Sequence, residues 1–136
     1  MNYCFDTDVL SAVLRKTPPL HLIRRLALLP AESQRTTAIN LGELLYGAAR
    51  KGDPVLVERV RDVVHRAQIV LPFDEAAAEV YGPLRTSLEK VGQRLDEPDL
   101  RIASIALAHD LTLVTGNVRH FARVPGLRVE NWLLEA

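Results

Sequence analysis

Short β-like runs alternate regularly with longer stretches of helical periodicity along this chain. Strand-like runs occur at 2–5, 35–39, 68–73, 111–115 and 128–130, and segments with apolar residues at helical spacing lie between them. Strands that alternate with helices of about ten residues or more favour a parallel sheet covered on both faces. The pattern therefore predicts an α/β fold in which ligands bind beyond the carboxyl ends of the strands.

Length and composition predict one domain over residues 1–136. The chain is 48% apolar, and its 17 basic residues balance its 17 acidic ones, which argues against a general nucleic-acid coat protein. No apolar run reaches the roughly 18–20 residues that span a bilayer, and the N-terminus does not resemble a signal peptide. We therefore expect no membrane association. A single cysteine allows no internal disulfide, so the expected location is the reducing cytoplasm.

Several polar residues mark predicted helix starts. Asp8 precedes an apolar stripe and is a plausible N-cap of the first helix. Asn40 and Glu43 have the spacing of a capping box, which would open a helix after the second strand. Asp53 and Asp74 precede two further helical segments as N-caps.

Four polar residues are predicted to meet at one edge of the sheet. Asp6 directly follows the first strand, Glu43 lies one helical turn after the second, and Asn117 follows the fourth. Asp99 opens the helix that leads into the fourth strand. Since the carboxyl ends of parallel strands share one edge, these side chains are expected to converge.

Clustered carboxylates repel one another by about 1 kcal/mol per pair at 4 Å even in water, and a divalent cation removes that cost. Oxygen ligands without His or Cys favour Mg²⁺ or Mn²⁺. Each residue also has a structural interpretation. Asp6 fits a turn, Asp99 a first-turn acid favoured by the helix dipole, and Glu43 a capping box.

Five segments of the chain resemble the PIN-domain proteins, and more closely the VapC-type ribonuclease toxins of bacterial toxin–antitoxin modules. The segments occur in the family's order and span nearly the whole chain. They are Phe5–Asp8, Leu41–Ala48, Asp99–Ala103, Leu113–Phe121 and Val124–Trp132.

The resemblance implies a three-layer α/β/α sandwich with a mainly parallel central sheet, and a Mg²⁺- or Mn²⁺-dependent endoribonuclease. Asp6 and Asp99 would be the principal metal carboxylates, and Glu43 would complete the acidic cluster. The family's fourth acidic position falls at Asn117, where a neutral amide offsets less cation charge, so a full second metal site is in doubt.

Other positions take their expected roles from the same resemblance. Thr7 and Thr115 would be hydroxyl neighbours of the carboxylates. Whether Asp8 or Asp96 joins the site is left open by the sequence. Arg101 and Arg119 are the arginines nearest the motifs and are candidates for phosphate contacts.

The family also implies partners. VapC-type toxins cleave RNA, usually form homodimers, and are inhibited by a VapB-type antitoxin that wraps the toxin's helices. The apolar stretches Leu10–Leu14 and Leu20–Leu29 are candidate parts of the antitoxin groove, although both also fit an ordinary core.

Three other functions fit parts of the pattern. A haloacid-dehalogenase-like phosphatase would use Asp6 as nucleophile and Asp8 as general acid and base. A receiver-like signalling module would need a phosphorylatable aspartate after the third strand, where Asp74 lies, but no lysine follows the last strand. A catalytically silent PIN-fold binding module is the third alternative, and the intact carboxylates argue against it.

Overall fold

A computed structural model describes residues 1–134 and, at position 67, the backbone alone. All pairings in its sheet are parallel, which confirms the α/β prediction. The strands are β1 (Tyr3–Phe5), β2 (Gln34–Thr37), β3 (Ile69–Leu71), β4 (Thr112–Val114) and β5 (Arg128–Glu130). The α-helices are α1 (Thr7–Val13), α2 (Leu20–Ala27), α3 (Ala38–Arg50), α4 (Pro54–Ala67), α5 (Glu75–Lys90), α6 (Glu97–Ala108) and α7 (Val118–Phe121), and a short 3-10 turn spans Ala31–Ser33.

The sheet separates two hydrophobic cores. Because successive side chains of a strand point to opposite faces, Phe5 enters one core and Cys4 the other. The first core is closed by α1 to α4 and by Trp132 near the C-terminus. The second is closed by α5, α6 and Phe121 of α7. Two helical layers on one parallel sheet confirm the predicted three-layer sandwich.

The order of the strands creates a crevice beside β1. The order is β3-β2-β1-β4-β5, so the chain leaves β1 in one direction and later places β4 on its other side. The helix after β1 packs in the first core and the helix after β4 in the second. Connections that diverge to opposite faces leave a crevice at the carboxyl ends of the two strands. Asp6 and Thr115 directly follow those ends.

The predicted N-cap of the first helix is wrong by two residues. Asp6 caps α1, because its backbone is extended and its carboxylate accepts a hydrogen bond from the Thr7 amide. Asp8 therefore lies inside the first turn. The caps predicted at Asp53 and Asp74 are confirmed, since each side chain accepts from an amide in the first turn of its helix.

The predicted capping box does not form. Thr37 caps α3 by accepting a hydrogen bond from the Asn40 amide, so the helix begins at Ala38. The second strand accordingly ends at Thr37 rather than Ile39. Glu43 lies in the second turn of the helix, where it is not needed as a cap.

The third strand is shorter than the sequence predicts. The third strand ends at Leu71 rather than at 73, because Pro72 has no amide proton to continue the ladder.

Within residues 1–134 no helix is both long and apolar enough to cross a membrane. The predicted domain boundary at residue 136 lies outside the described residues and stays a prediction.

Candidate active site

One open pocket of about 470 Å³ lies at the carboxyl edge of the sheet, and the four predicted site residues line it together. Asp6 follows β1, Glu43 lies on α3, Asp99 in the first turn of α6, and Asn117 just before α7. The sheet topology therefore brings together groups that are far apart in sequence. The other lining residues are Thr7, Asp8, Ser11 and Arg15.

Three hydrogen bonds hold the Asp6 carboxylate, which is only 7% exposed. Its Oδ1 accepts from the Thr7 amide at 2.9 Å and from the side-chain amide of Asn40 at 2.8 Å. Its Oδ2 accepts from the Thr115 hydroxyl at 2.7 Å. Bonds to a charged acceptor are about twice as strong as neutral ones, so Asp6 is fixed in one orientation. The expected proximity of Thr7 and Thr115 to the carboxylates is confirmed.

A buried asparagine links Asp6 to Glu43. Asn40 is fully buried. Its side-chain oxygen accepts from the Thr37 hydroxyl, and its side-chain nitrogen donates to both the Asp6 carboxylate and the Thr7 hydroxyl. That hydroxyl in turn donates to Oε1 of Glu43 at 2.7 Å. Sequence reasoning missed Asn40 as a site residue by assigning it to a helix cap. Its spacing of three residues from Glu43, which places both on one helix face, was the available signal.

Asp8 ties α1 to the loop after β4. Its Oδ2 accepts from the Gly116 amide at 2.8 Å, and Oδ1 is buried without a hydrogen-bond partner among the described residues. Burial, aided by the charge of Asp6, raises the pKa of Asp8. A Cβ at position 116 would lie 2.7 Å from Asp8 Oδ2 and 2.9 Å from Leu133, so this close approach requires glycine.

The Asp99 carboxylate is half-buried beside other acids. Burial raises its pKa to about 6, and the negative charges of Asp6, Glu43 and Asp96 add to that rise. The charge of His120 opposes them. Asp96 caps α6 through its backbone carbonyl, and its charge acts on Asp99 although its side chain does not line the pocket. The pocket thus concentrates negative charge that the protein leaves largely uncompensated.

Asn117 is paired with a histidine that the sequence did not single out. The Asn117 backbone amide donates to the Thr115 hydroxyl at 3.0 Å. Its side-chain nitrogen lies 2.9 Å from Nδ1 of His120. Because an amide nitrogen only donates, His120 accepts at Nδ1 and in its neutral form carries its proton at Nε2. The two residues are three apart in sequence, and this helical spacing was the available signal for the pair.

The donor set of the pocket fits a hard divalent cation. Its four carboxylates come from Asp6, Asp8, Glu43 and Asp99, and oxygen-only sites favour Mg²⁺ or Mn²⁺. Among residues 1–134 no three Asp, Glu, His or Cys side chains lie close enough to enclose an ion. Mg²⁺ normally takes one or two carboxylates and keeps several waters, so an open acidic pocket suits it.

The arginines suggested by proximity to the motifs lie elsewhere. Arg101 forms an ion pair with Glu97 at 3.1 Å and neither it nor Arg119 lines the pocket. The basic side chain that does line it is Arg15, which sequence analysis did not consider. It comes from the turn after α1, far from the quoted motifs at the later strands.

Comparison with known proteins gives matches along nearly the whole chain. Residues 3–127 match the PIN domain family. Ribonuclease VapC2 of Rickettsia felis is 32% identical over 132 residues, covering 97% of this chain and 98% of the relative. The tRNA(fMet)-specific endonuclease VapC of Salmonella typhimurium is 32% identical with the same coverage of both chains.

A solved structure has a similar fold over nearly the whole chain. A chain in the crystal structure of VapBC2 from Rickettsia felis, bound to a DNA fragment from its promoter, superposes with a TM-score of 0.87. The identity is 33%, and the match covers 97% of this chain and 99% of that one. The similarity therefore includes the sheet order that forms the pocket.

Proposed function

The chain belongs to the PIN domain family, in its VapC ribonuclease branch, and we propose that its acidic pocket is where RNA is cleaved. The protein is an endoribonuclease toxin whose inhibitor is a VapB-type antitoxin. One observation carries the assignment of the site. The pocket at the sheet switch point gathers the carboxylates of Asp6, Glu43 and Asp99, although they come from three separate elements.

Asp6 and Asp99 would hold the cation. The three donors on Asp6 fix its oxygens before any ion arrives, so little conformational entropy is lost on binding. The raised pKa of Asp99 reflects burial and nearby negative charge, both of which a bound cation offsets. Mg²⁺ is the expected metal and Mn²⁺ a substitute. When bound, it would neutralise phosphate charge and lower the pKa of a coordinated water.

Glu43 would accept the proton of the attacking water. Its Oε1 already accepts from Thr7, which orients the carboxylate and leaves Oε2 facing no hydrogen-bond donor among residues 1–134. As the water oxygen bonds to phosphorus and a ribose oxygen departs, the water proton passes to Glu43. The departing oxygen takes a proton from solvent. Asn117 would border the substrate phosphate, with its orientation set by His120.

The two stretches predicted to contact the antitoxin differ in how far their apolar side chains are exposed. Leu10 and Leu14 are at most 9% exposed and pack in the first core, so their side chains offer a partner little apolar surface. In α2, by contrast, Leu20 is 59% exposed and Leu28, its C-cap, is 84% exposed. We place part of the antitoxin contact on α2. A homodimer remains a prediction, which light scattering of the purified toxin would check.

The alternatives to a ribonuclease are not supported. The phosphatase would need Asp8 as a mobile acid and base, whereas its carboxylate is tied to the Gly116 amide. A silent binding module would not need three carboxylates at the switch point. Whole-chain similarity to VapC ribonucleases decides against both functions.

Cleavage by purified, antitoxin-free protein tests the proposal. Initiator tRNA is the first substrate, because the Salmonella relative is a tRNA(fMet)-specific endonuclease; total RNA from the host is the second. We expect cleavage with Mg²⁺ or Mn²⁺ that EDTA abolishes. Asp6→Asn and Asp99→Asn should each lower kcat/KM by about 100-fold or more, because ligand carboxylates matter at least as much as the groups that orient them.

Asp62→Asn is the matched control, since it removes the same charge from an exposed position on α4. It should cleave like wild type. Equal cleavage by the Asp6 and Asp62 variants, both folded by circular dichroism, would refute the assignment of the pocket.

A further inference from the structure

An apolar groove next to the acidic pocket takes no part in the proposed hydrolysis. It has a volume of about 250 Å³ and lies between α1, α3 and α4. It shares Thr7, Ser11, Arg15 and Glu43 with the acidic pocket, so the two spaces are continuous. Its floor is formed by Leu14, Leu44, Ala48, Leu56 and Val60.

Two cations border this groove. Arg15 lines both the groove and the acidic pocket, and Lys51, the C-cap of α3, lines the groove alone. Both are exposed, and among residues 1–134 neither side chain forms an ion pair. Arginine offers a planar set of donors that matches phosphate oxygens. The border of the groove therefore suits an anionic chain rather than a neutral peptide.

We propose that the groove is a nucleotide subsite for the RNA substrate. The apolar floor takes the base next to the scissile bond, and Arg15 holds the phosphate of that nucleotide. This inference rests on the proposed function, because an RNA strand with its scissile phosphate in the acidic pocket must continue into an adjoining space. Proteins that recognise an RNA sequence bind mainly bases that have left the stack. The aliphatic floor of the groove would give such a base apolar contact, and the Arg15 guanidinium lies at its border.

Gly47 allows the groove to be filled without disturbing the fold. It lines the groove, and a Cβ added there meets no atom within 4 Å. Gly42 lies on the same helix, also has space for a Cβ, and does not line the groove. Both substitutions replace a helical glycine, so each should preserve or raise helix stability. Gly42→Leu is thus a matched control for Gly47→Leu.

The experiment measures kcat and KM on an oligoribonucleotide that contains the mapped cleavage site. We expect Gly47→Leu to raise KM by about tenfold or more, because the added side chain would exclude the base from its apolar contacts with the floor, while Gly42→Leu stays at the wild-type value. Hydrolysis of bis(4-nitrophenyl) phosphate, which is too small to need the groove, should be unchanged in both variants. Arg15→Gln should also raise KM, and Arg15→Lys should raise it less because the positive charge is kept. Lys16→Gln should leave KM unchanged.

A KM for Gly47→Leu equal to that of Gly42→Leu would overturn the subsite. Loss of antitoxin inhibition in Gly47→Leu with a wild-type KM would overturn it too, and would make the groove a protein-docking site. Failure of the proposed function gives a different result, because wild-type protein would then cleave no RNA at all. Melting temperatures of both leucine variants exclude misfolding as the cause of a raised KM.

Discussion

Asp6 and Asp99 hold their carboxylates in opposite ways, although both face the same pocket. Asp6 is nearly buried and receives three hydrogen bonds, from Thr7, Asn40 and Thr115. Asp99 is half-buried, and no hydrogen bond reaches its carboxylate among residues 1–134. Its environment instead raises its pKa to about 6, through burial and the charges of neighbouring acids. The first carboxylate is therefore rigid and the second is destabilised in its charged form until a cation binds.

The raised pKa predicts how the stability of the metal-free protein depends on pH. Because the pKa of Asp99 rises from 3.8 to about 6 on folding, the folded state binds a proton more tightly than the unfolded state. The associated stabilisation is complete below pH 3.8 and is lost as the pH rises through about 6. In EDTA, the melting temperature of Asp99→Asn should therefore be close to that of wild type near pH 4 and a few degrees higher than that of wild type at pH 7.5.

Thermal unfolding followed by circular dichroism checks this prediction, and Asp62→Asn again serves as the control. Addition of Mn²⁺ at pH 7.5 should raise the melting temperature of wild type but not of Asp99→Asn, since ligand binding stabilises only a folded site. A lower melting temperature for Asp99→Asn than for wild type in EDTA at pH 7.5 would contradict the account of Asp99.

Among the elements, α3 connects stability to the site most directly. Its N-cap, Thr37, is fully buried and exchanges two hydrogen bonds with Asn40, at 2.6 and 3.1 Å. Asn40 in turn positions Asp6 and Thr7, and the next turn of the same helix carries Glu43. The start of this helix therefore both satisfies its own amides and sets the orientation of the acidic cluster.

Removal of this cap should affect both stability and activity. Thr37→Ala is expected to cost about 1 kcal/mol in the free energy of unfolding and to lower kcat, because Asn40 loses the partner that orients it. The side chain of Asp74 caps α5 by accepting from the Ala77 backbone amide at 3.1 Å. Asp74→Ala should therefore lower the free energy of unfolding by a similar amount and leave kcat unchanged. Urea denaturation and RNA cleavage of both variants separate the two effects; a kcat lowered equally in both would refute the link.

In the molecule as a whole, the C-terminal segment returns to close the first core beside β1. Trp132 is 2% exposed, and its ring lies 4.9 Å from that of Tyr3 and 5.4 Å from that of Phe5, centroid to centroid. The Arg25 guanidinium covers its other side at 4.0 Å, and its indole nitrogen donates to Glu130 at 2.9 Å. The last described residues thus join β1, α2 and β5 into one unit.

Trp132→Ala should lower the free energy of unfolding by about 3–5 kcal/mol, because it opens a cavity in the core and removes the edge-to-face contacts with Tyr3 and Phe5. Leu134→Ala, two residues later at a side chain that is 69% exposed, should change it by less than about 0.5 kcal/mol. Urea denaturation followed by circular dichroism checks both values. Similar stability of the two variants would show that the C-terminal segment does not close the core.

Local patterns in the chain were sufficient to predict its layers and three of the four carboxylates of the pocket, with Asp8 left open. Apolar periodicity reports which face of an element is buried, and the alternation of elements implies a parallel sheet. Asp6, Glu43, Asp99 and Asn117 follow or precede predicted strands, so their shared edge could be inferred before any coordinates. The roles assigned to those residues remain predictions.

The tertiary structure was needed for everything that depends on contacts between distant elements. It decided that Asn40 holds Asp6, that Asp8 accepts from the Gly116 amide, and that Arg15 rather than Arg101 borders the pocket. The Thr37 cap of α3 and the Asn117–His120 pair each span three residues, a spacing that the sequence allows but does not select. A hydrogen bond or ion pair forms between side chains only when the packing of helices on the sheet brings them within about 3–4 Å. Sequence periodicity describes the direction of a side chain within its own element, whereas that distance depends on how the elements pack.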